Sequence, residues 1–128
     1  MEVLKIEGTI DSPQIILDPG NKKFELSGQS LPENPASFYA PVFEWCNKYK
    51  ETPLESTTFD FKMEYLNTSS TKMITELIYK LKDIIDVGKE LKIHWYYEPM
   101  DFDMKKLGTD ISYITGIPFD FFELDEDE

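Results

Sequence analysis

The sequence predicts a single α/β domain, a mixed β-sheet with an N-terminal hairpin, a βαβ unit and about three helices. Three observations lead there. From Thr57 to Leu66, Phe59, Phe61, Met63 and Tyr65 alternate with Thr58, Asp60, Lys62 and Glu64, the period-2 pattern of a strand with one wet face. After it, Met73, Ile74, Leu77, Ile78, Leu81, Ile84 and Ile85 recur at helical spacing to about Val87, and Gly88 stands where a helix stops. A second period-2 run, Glu90 to Tyr97, puts Leu91, Ile93, Trp95 and Tyr97 on one face. Strand, helix and strand of these lengths form a crossover within one sheet.

The remaining elements follow in order. Val3 to Glu7 is a short strand. Pro13 to Leu17 and Lys23 to Leu26 flank Asp18-Pro19-Gly20-Asn21, where Pro presets the first turn position and Gly accepts a positive φ, so the pair reads as a hairpin. Asn34 is placed to cap a helix whose first residue is Pro35. That helix runs to about Lys50, with Phe38, Val42, Trp45 and Tyr49 on its apolar side, and Pro41 is expected to bend or delay it. Met104, Leu107, Ile111 and Ile114 mark a last helix ended by Gly116, and Phe119 to Leu124 a last strand. Residues 1–124 read as one domain and 125–128 as a solvated acidic tail.

Composition narrows the function. The 128 residues are 41% hydrophobic and 14% aromatic, enough to build a core without disulfides or metal. A single cysteine, Cys46, excludes an internal disulfide framework and any Cys-based zinc cluster. The formal net charge is −12, and all 13 basic residues are lysines. Nucleic-acid recognition leans on arginine forks and basic stripes, and anionic membranes repel such a chain, so neither is an expected partner. With no secretory leader pattern at the start and no apolar run near 20 residues, a cytoplasmic location is expected.

Enzyme signatures are sparse, and no cofactor is implied. No glycine-rich phosphate loop, nucleophile elbow or histidine pair at metal spacing occurs. His94 stands on a strand out of phase with the apolar set, which reads as half-exposed. Cys46 reads as packing beside the aromatic stripe. Glu98, Asp101 and Asp103 lack the glycine and terminal glutamate of a calcium loop, and helix capping accounts for them. A catalytic or ligand-binding alternative would require His94, Glu98 and Asp103 to converge in one cleft. A passive oligomerisation domain would require the Phe38 to Tyr49 stripe to be exposed. Asn67-Thr68-Ser69-Ser70-Thr71, between the strongest strand and the strongest helix, admits two readings: ordinary capping, or a modifiable hydroxyl near the positive end of a helix dipole.

Three blocks carry a resemblance to a known family: Pro32-Glu33-Asn34-Pro35 with Phe38, Tyr39, Pro41 and Trp45; Tyr65-Leu66-Asn67-Thr68-Ser69-Ser70-Thr71-Lys72; and Trp95-Tyr96-Tyr97-Glu98 with Asp103, Met104 and Gly108. The chain resembles the SiaC family of regulatory phosphoproteins over nearly its whole length. The resemblance implies a non-enzymatic partner-switching protein, loosely akin in fold to anti-sigma-factor antagonists. Thr68 matches the family's phosphoacceptor, modified by a dedicated kinase and restored by a PP2C-like phosphatase. The unmodified form is implied to bind a diguanylate cyclase, raising cyclic di-GMP and favouring biofilm or aggregation. Asn67, Thr68, Ser69, Ser70 and Lys72 would face the partner. Lys105, Lys106 and Thr109 surround Gly108 where the family is more acidic, and Leu66 replaces an aromatic residue. These departures leave another signalling protein open as the effector.

Overall fold

The computed structural model describes residues 1–124, and the acidic tail 125–128 lies outside the described residues. Six strands form one sheet in sequence order: β1 (Leu4–Ile6), β2 (Gln14–Asp18), β3 (Lys23–Ser30), β4 (Ser56–Leu66), β5 (Glu90–Tyr97) and β6 (Phe119–Glu123). The first three run antiparallel, and β3 to β6 are parallel. The expected mixed sheet is present, with three crossover units where the sequence patterning marked one. The crossovers hold α1 (Pro35–Tyr49), α2 (Thr68–Leu81) with the single turn α3 (Asp83–Asp86), and α4 (Phe102–Thr115).

All three long helices cover one face. Along β4 and β5, Phe59, Phe61, Met63, Ile93 and Trp95 are buried under them, while the alternate residues Asp60, Lys62, His94 and Tyr96 are only half-buried. An aromatic ladder crosses the covered face: Phe24 stacks on Phe59 (5.2 Å between centroids), Phe61 on Trp95 (5.7 Å) and Trp95 on Phe119 (5.8 Å). Each such ring contributes roughly 1.5–3 kcal/mol through burial. The Phe38 to Tyr49 stripe joins this core: Val42, Trp45 and Tyr49 are buried and Phe38 packs against them, so it offers no broad apolar surface for assembly.

Three local expectations change. Helix α1 starts at Pro35 and continues past Pro41 to Tyr49, so Pro41 does not delay it. Its start is fixed by Asn34, whose side chain accepts from the Ser37 N–H (3.1 Å). Second, Tyr65 does not share the face of Phe59, Phe61 and Met63. The β3–β4 ladder slips at Gly28 and Gln29, whose partners are Met63 and Tyr65, so Glu64 is an extra residue. Gly28 takes φ +102° there, a conformation open chiefly to glycine. The bulge turns Tyr65 outward and Leu66 inward. Third, the long amphipathic helix divides at Lys82 into α2 and α3, which leaves Ile85 exposed.

Candidate functional site

The parallel strands β3 to β6 all end at one edge, the place where open α/β sheets present their functional loops. There β4 gives way to α2 through Asn67. The Asn67 side chain accepts from the Ser70 N–H (2.8 Å), and its carbonyl accepts from the Thr71 hydroxyl (2.9 Å). Its own N–H donates to the Ser30 carbonyl at the end of β3 (3.1 Å). The capping expectation therefore holds for Asn67, which is a cap and a tie to the neighbouring strand.

The five small polar residues do different things. Thr68 and Ser69 are exposed, and no hydrogen bond among the described residues engages either hydroxyl. Ser70 is fully buried. Its oxygen accepts from the Ser30 hydroxyl (2.8 Å), and Ser30 lies 2.5 Å from the phenol of Tyr39 on α1. Ser30 has one proton and gives it to Ser70, so the Tyr39 phenol donates to Ser30. Burial pushes the Tyr39 phenol up from its ordinary range, which keeps that donor protonated. This buried chain bolts the start of α2 to β3 and α1 and leaves Thr68 on the outside of the same turn. Ser70, expected at the partner-facing surface, instead points into the core. Lys72 is exposed one turn further along.

Sequence reading missed the inward role of Ser70, although a signal existed. Ser70 precedes Ile74 by four residues and Leu77 by seven, which places it on the buried stripe of α2. The partners Ser30 and Tyr39 could not be found this way, because they lie 40 and 31 residues back along the chain.

His94, Glu98 and Asp103 are not brought together. His94 lies on the helix-free face, with Nδ1 3.4 Å from Asp60, Nε2 3.8 Å from Asp120 and its ring 4.9 Å from that of Phe122. Glu98 is exposed just past the end of β5, four residues beyond His94. Asp103 is exposed in the first turn of α4, on the covered side of the sheet. Asp101 caps α4, accepting from the Met104 N–H (3.0 Å). Among the described residues no group of three His, Cys, Asp or Glu side chains is arranged to hold a metal. Cys46 is buried, with its thiol pushed up to about 12 by burial, which suits packing and not nucleophilic chemistry. No helix among the described residues is long and apolar enough to cross a membrane.

The third sequence block has a packing explanation. The Trp95 indole N–H donates to the Met104 carbonyl (3.0 Å), and the ring lies flat against Gly108 of α4. The β5–α4 connection above it carries Met100, the second non-glycine residue with a positive φ (+71°) besides Lys22.

The chain is thus a one-sided α/β sheet with an asparagine-capped turn at the carboxyl ends of its parallel strands, presenting outward hydroxyls. The family model for "SiaC family regulatory phosphoprotein" matches residues 6–124, and the chain belongs to the SiaC family. It is 25% identical over 119 residues to an uncharacterised protein of Pseudomonas aeruginosa (strain UCBPP-PA14), covering 93% of this chain and 94% of that one. Apo-SiaC from Pseudomonas aeruginosa has the same fold, with a TM-score of 0.84 and 25% identity over 94% of this chain and 98% of its own. A crystal structure of the diguanylate cyclase SiaD in complex with its activator SiaC, from the same organism, contains a chain matching with a TM-score of 0.86. The identity there is 24%, over 94% of this chain and 99% of that one.

Proposed function

We propose that the chain is a non-enzymatic, cytoplasmic partner-switch protein whose unmodified form binds and regulates a diguanylate cyclase, and that phosphorylation of Thr68 ends that binding. A kinase adds the phosphate and a PP2C-like phosphatase removes it, which couples the switch to cyclic di-GMP and biofilm formation. The observation that carries this reading is the division of labour within one helix turn. Asn67, Ser70 and Thr71 are committed to internal hydrogen bonds, Thr68 and Ser69 are left exposed with free hydroxyls, and of these two Thr68 stands at the position that the family resemblance gives to the phosphoacceptor. A phosphate there lies at the helix N-terminus, where anions are tolerated, so the fold survives the modification while the surface gains roughly two negative charges. Asn67, Thr68, Ser69 and Lys72 form the partner-facing set, with Ser70 acting from beneath as their anchor. Family membership and the activator role of the SiaC in the SiaD complex support a diguanylate cyclase as effector.

The test is peptide mapping of the protein isolated from its host, followed by binding of the host's purified diguanylate cyclases to each form. A gain of about 80 Da on Thr68, reversed by phosphatase, with cyclase bound only by the unmodified form, is the expected result. A Thr68 that carries no phosphate under any growth condition, and that no co-encoded kinase modifies, overturns the switch.

A further inference from the structure

The two lateral strands of the sheet are guarded differently. An edge strand turns a row of backbone N–H and C=O groups to solvent, and proteins blunt such rows with short strands, lysines, prolines, bulges or a cover. On one side, β1 is three residues long and carries Lys5. On the other, β6 runs for five residues and pairs only with β5 among the described residues. Its register is unbroken from Ile93 facing Phe119 to Tyr97 facing Glu123, so no bulge twists it away. The strand contains neither lysine nor proline, and Phe119, Phe121 and Phe122 make up most of it. Phe119 and Phe121 pack against the core, whereas Phe122 is 40% exposed on the helix-free face, where it stacks on Tyr96.

What guards β6 is charge. The Asp120 side chain is 65% exposed and, among the described residues, pairs only with His94 (3.8 Å). Glu123 is exposed and forms no ion pair among them. From Leu107 onward the sequence has no lysine, and Asp125 to Glu128 continue the acidic run. These carboxylates repel a second copy of the chain, whose own β6 and net charge of −12 have the same sign. They attract a strand that carries cations, because cross-strand pairs of opposite charge stabilise a ladder. The guard is selective: it closes the strand to a second copy and opens it to a basic segment.

We propose that the outer side of β6 takes up, as a seventh strand, an extended lysine- or arginine-bearing segment of a partner protein. The added strand lies about 4.8 Å beyond β6, and its main chain completes the hydrogen bonds that β6 leaves open. Its basic side chains meet Asp120 on one face and Glu123 on the other, and an apolar one lies beside Phe122. The surface is separate from the switch, since Thr68 follows β4 and β5 stands between β4 and β6. An occupant of β6 leaves the Thr68 hydroxyl uncovered, so the site is open in both states of the switch.

The probes are three blocked peptides of equal length, alternating lysine with valine, lysine with proline, and glutamate with valine. Each is titrated into the isotope-labelled full chain, with amide shifts and hydrogen exchange read residue by residue. The lysine–valine peptide should slow exchange in Phe119 to Glu123, and its affinity should fall severalfold as salt rises from about 0.05 to 0.5 M. Thr68→Asp should bind it as wild type does. The pair Asp120→Lys/Glu123→Lys replaces exposed residues, its fold is checked by circular dichroism, and it should weaken binding roughly tenfold or more. The lysine–proline peptide has the same charge but no N–H at its prolines to build a ladder. If it perturbs β6 equally, the contact is bulk attraction to an acidic chain and the proposal is wrong. Equal protection by the glutamate–valine peptide overturns the choice of a basic occupant. Protection of β6 that grows with protein concentration and needs no peptide assigns the strand to a second copy instead. If no peptide slows exchange in β6, the strand is closed and the proposal falls, whatever happens at Thr68.

Discussion

Thr68 and Ser70 are two residues apart and put the same functional group to opposite uses. Removing the Ser70 hydroxyl leaves Ser30 with a buried proton and no acceptor, so Ser70→Ala should cost about 1–3 kcal/mol. Thr68→Ala removes a solvated hydroxyl and should change stability by no more than about 0.5 kcal/mol. Urea denaturation of the two variants side by side checks this, and equal midpoints would contradict the buried chain. Gly108 permits a sharper test, because two effects compete there with opposite signs. In an open helix, alanine gains about 1 kcal/mol over glycine. Here a Cβ would meet the Trp95 ring at 2.5 Å, and the ring is held by its bond to the Met104 carbonyl. Overpacking costs about 1–3 kcal/mol, so Gly108→Ala should come out destabilised, with a perturbed tryptophan emission spectrum.

At the level of elements, the start of α2 carries both stability and function. Asn67 caps the helix and ties it to β3, so Asn67→Ala should lose about 0.5–2 kcal/mol. It should also raise amide exchange in the first turn of α2 while leaving β5 protected, which hydrogen exchange resolves residue by residue. The existence and order of these elements were legible in the sequence, because each has its own period: two for β4 and β5, 3.6 for α1, α2 and α4. The Asn34 cap was legible as local chemistry, as was capping within the Asn67 to Thr71 run, though not which residue of the run supplies it. Tyr65 was not. Alternation gives a strand's phase but cannot announce an inserted residue, and the bulge depends on Gly28 in a different strand. Nor was the inward Ser70 network, which joins three elements far apart in the chain. Of the candidate site, the polar turn came from local pattern and the choice of Thr68 within it from the family resemblance, whereas the buried role of Ser70 needed the fold.

For the molecule as a whole, layering helices on one side of the sheet leaves the other side in water. A row of facing residues crosses all six strands there: Lys5, Ile16, Glu25, Asp60, His94 and Asp120. Charges of both signs dominate it, with Glu25 bound to Lys62 (3.1 Å) and Asp60 beside His94. Such a row suits a hydrated face and discourages sheet-on-sheet association. Asp60 sits near its middle, half-buried between Glu25 and His94. Burial, aided by the Glu25 charge, pushes its carboxyl above the ordinary aspartate range, and the attraction of His94 and Lys62 does not fully offset the shift. The direction fixes the sign of a pH effect. A carboxyl with a raised folded pKa binds its proton more tightly in the folded state, so its contribution favours folding at low pH. That contribution is lost as pH rises from the ordinary value of 3.8 through the folded value. Asp60→Asn cannot ionise and does not suffer the loss. Its urea midpoint, taken relative to wild type, should therefore climb as the pH rises above the ordinary aspartate value and level off once the folded carboxyl has ionised. A difference that falls over that range would mean that the ion pairs with His94 and Lys62 outweigh burial, and that the open face is held together by its charges and not merely kept wet by them.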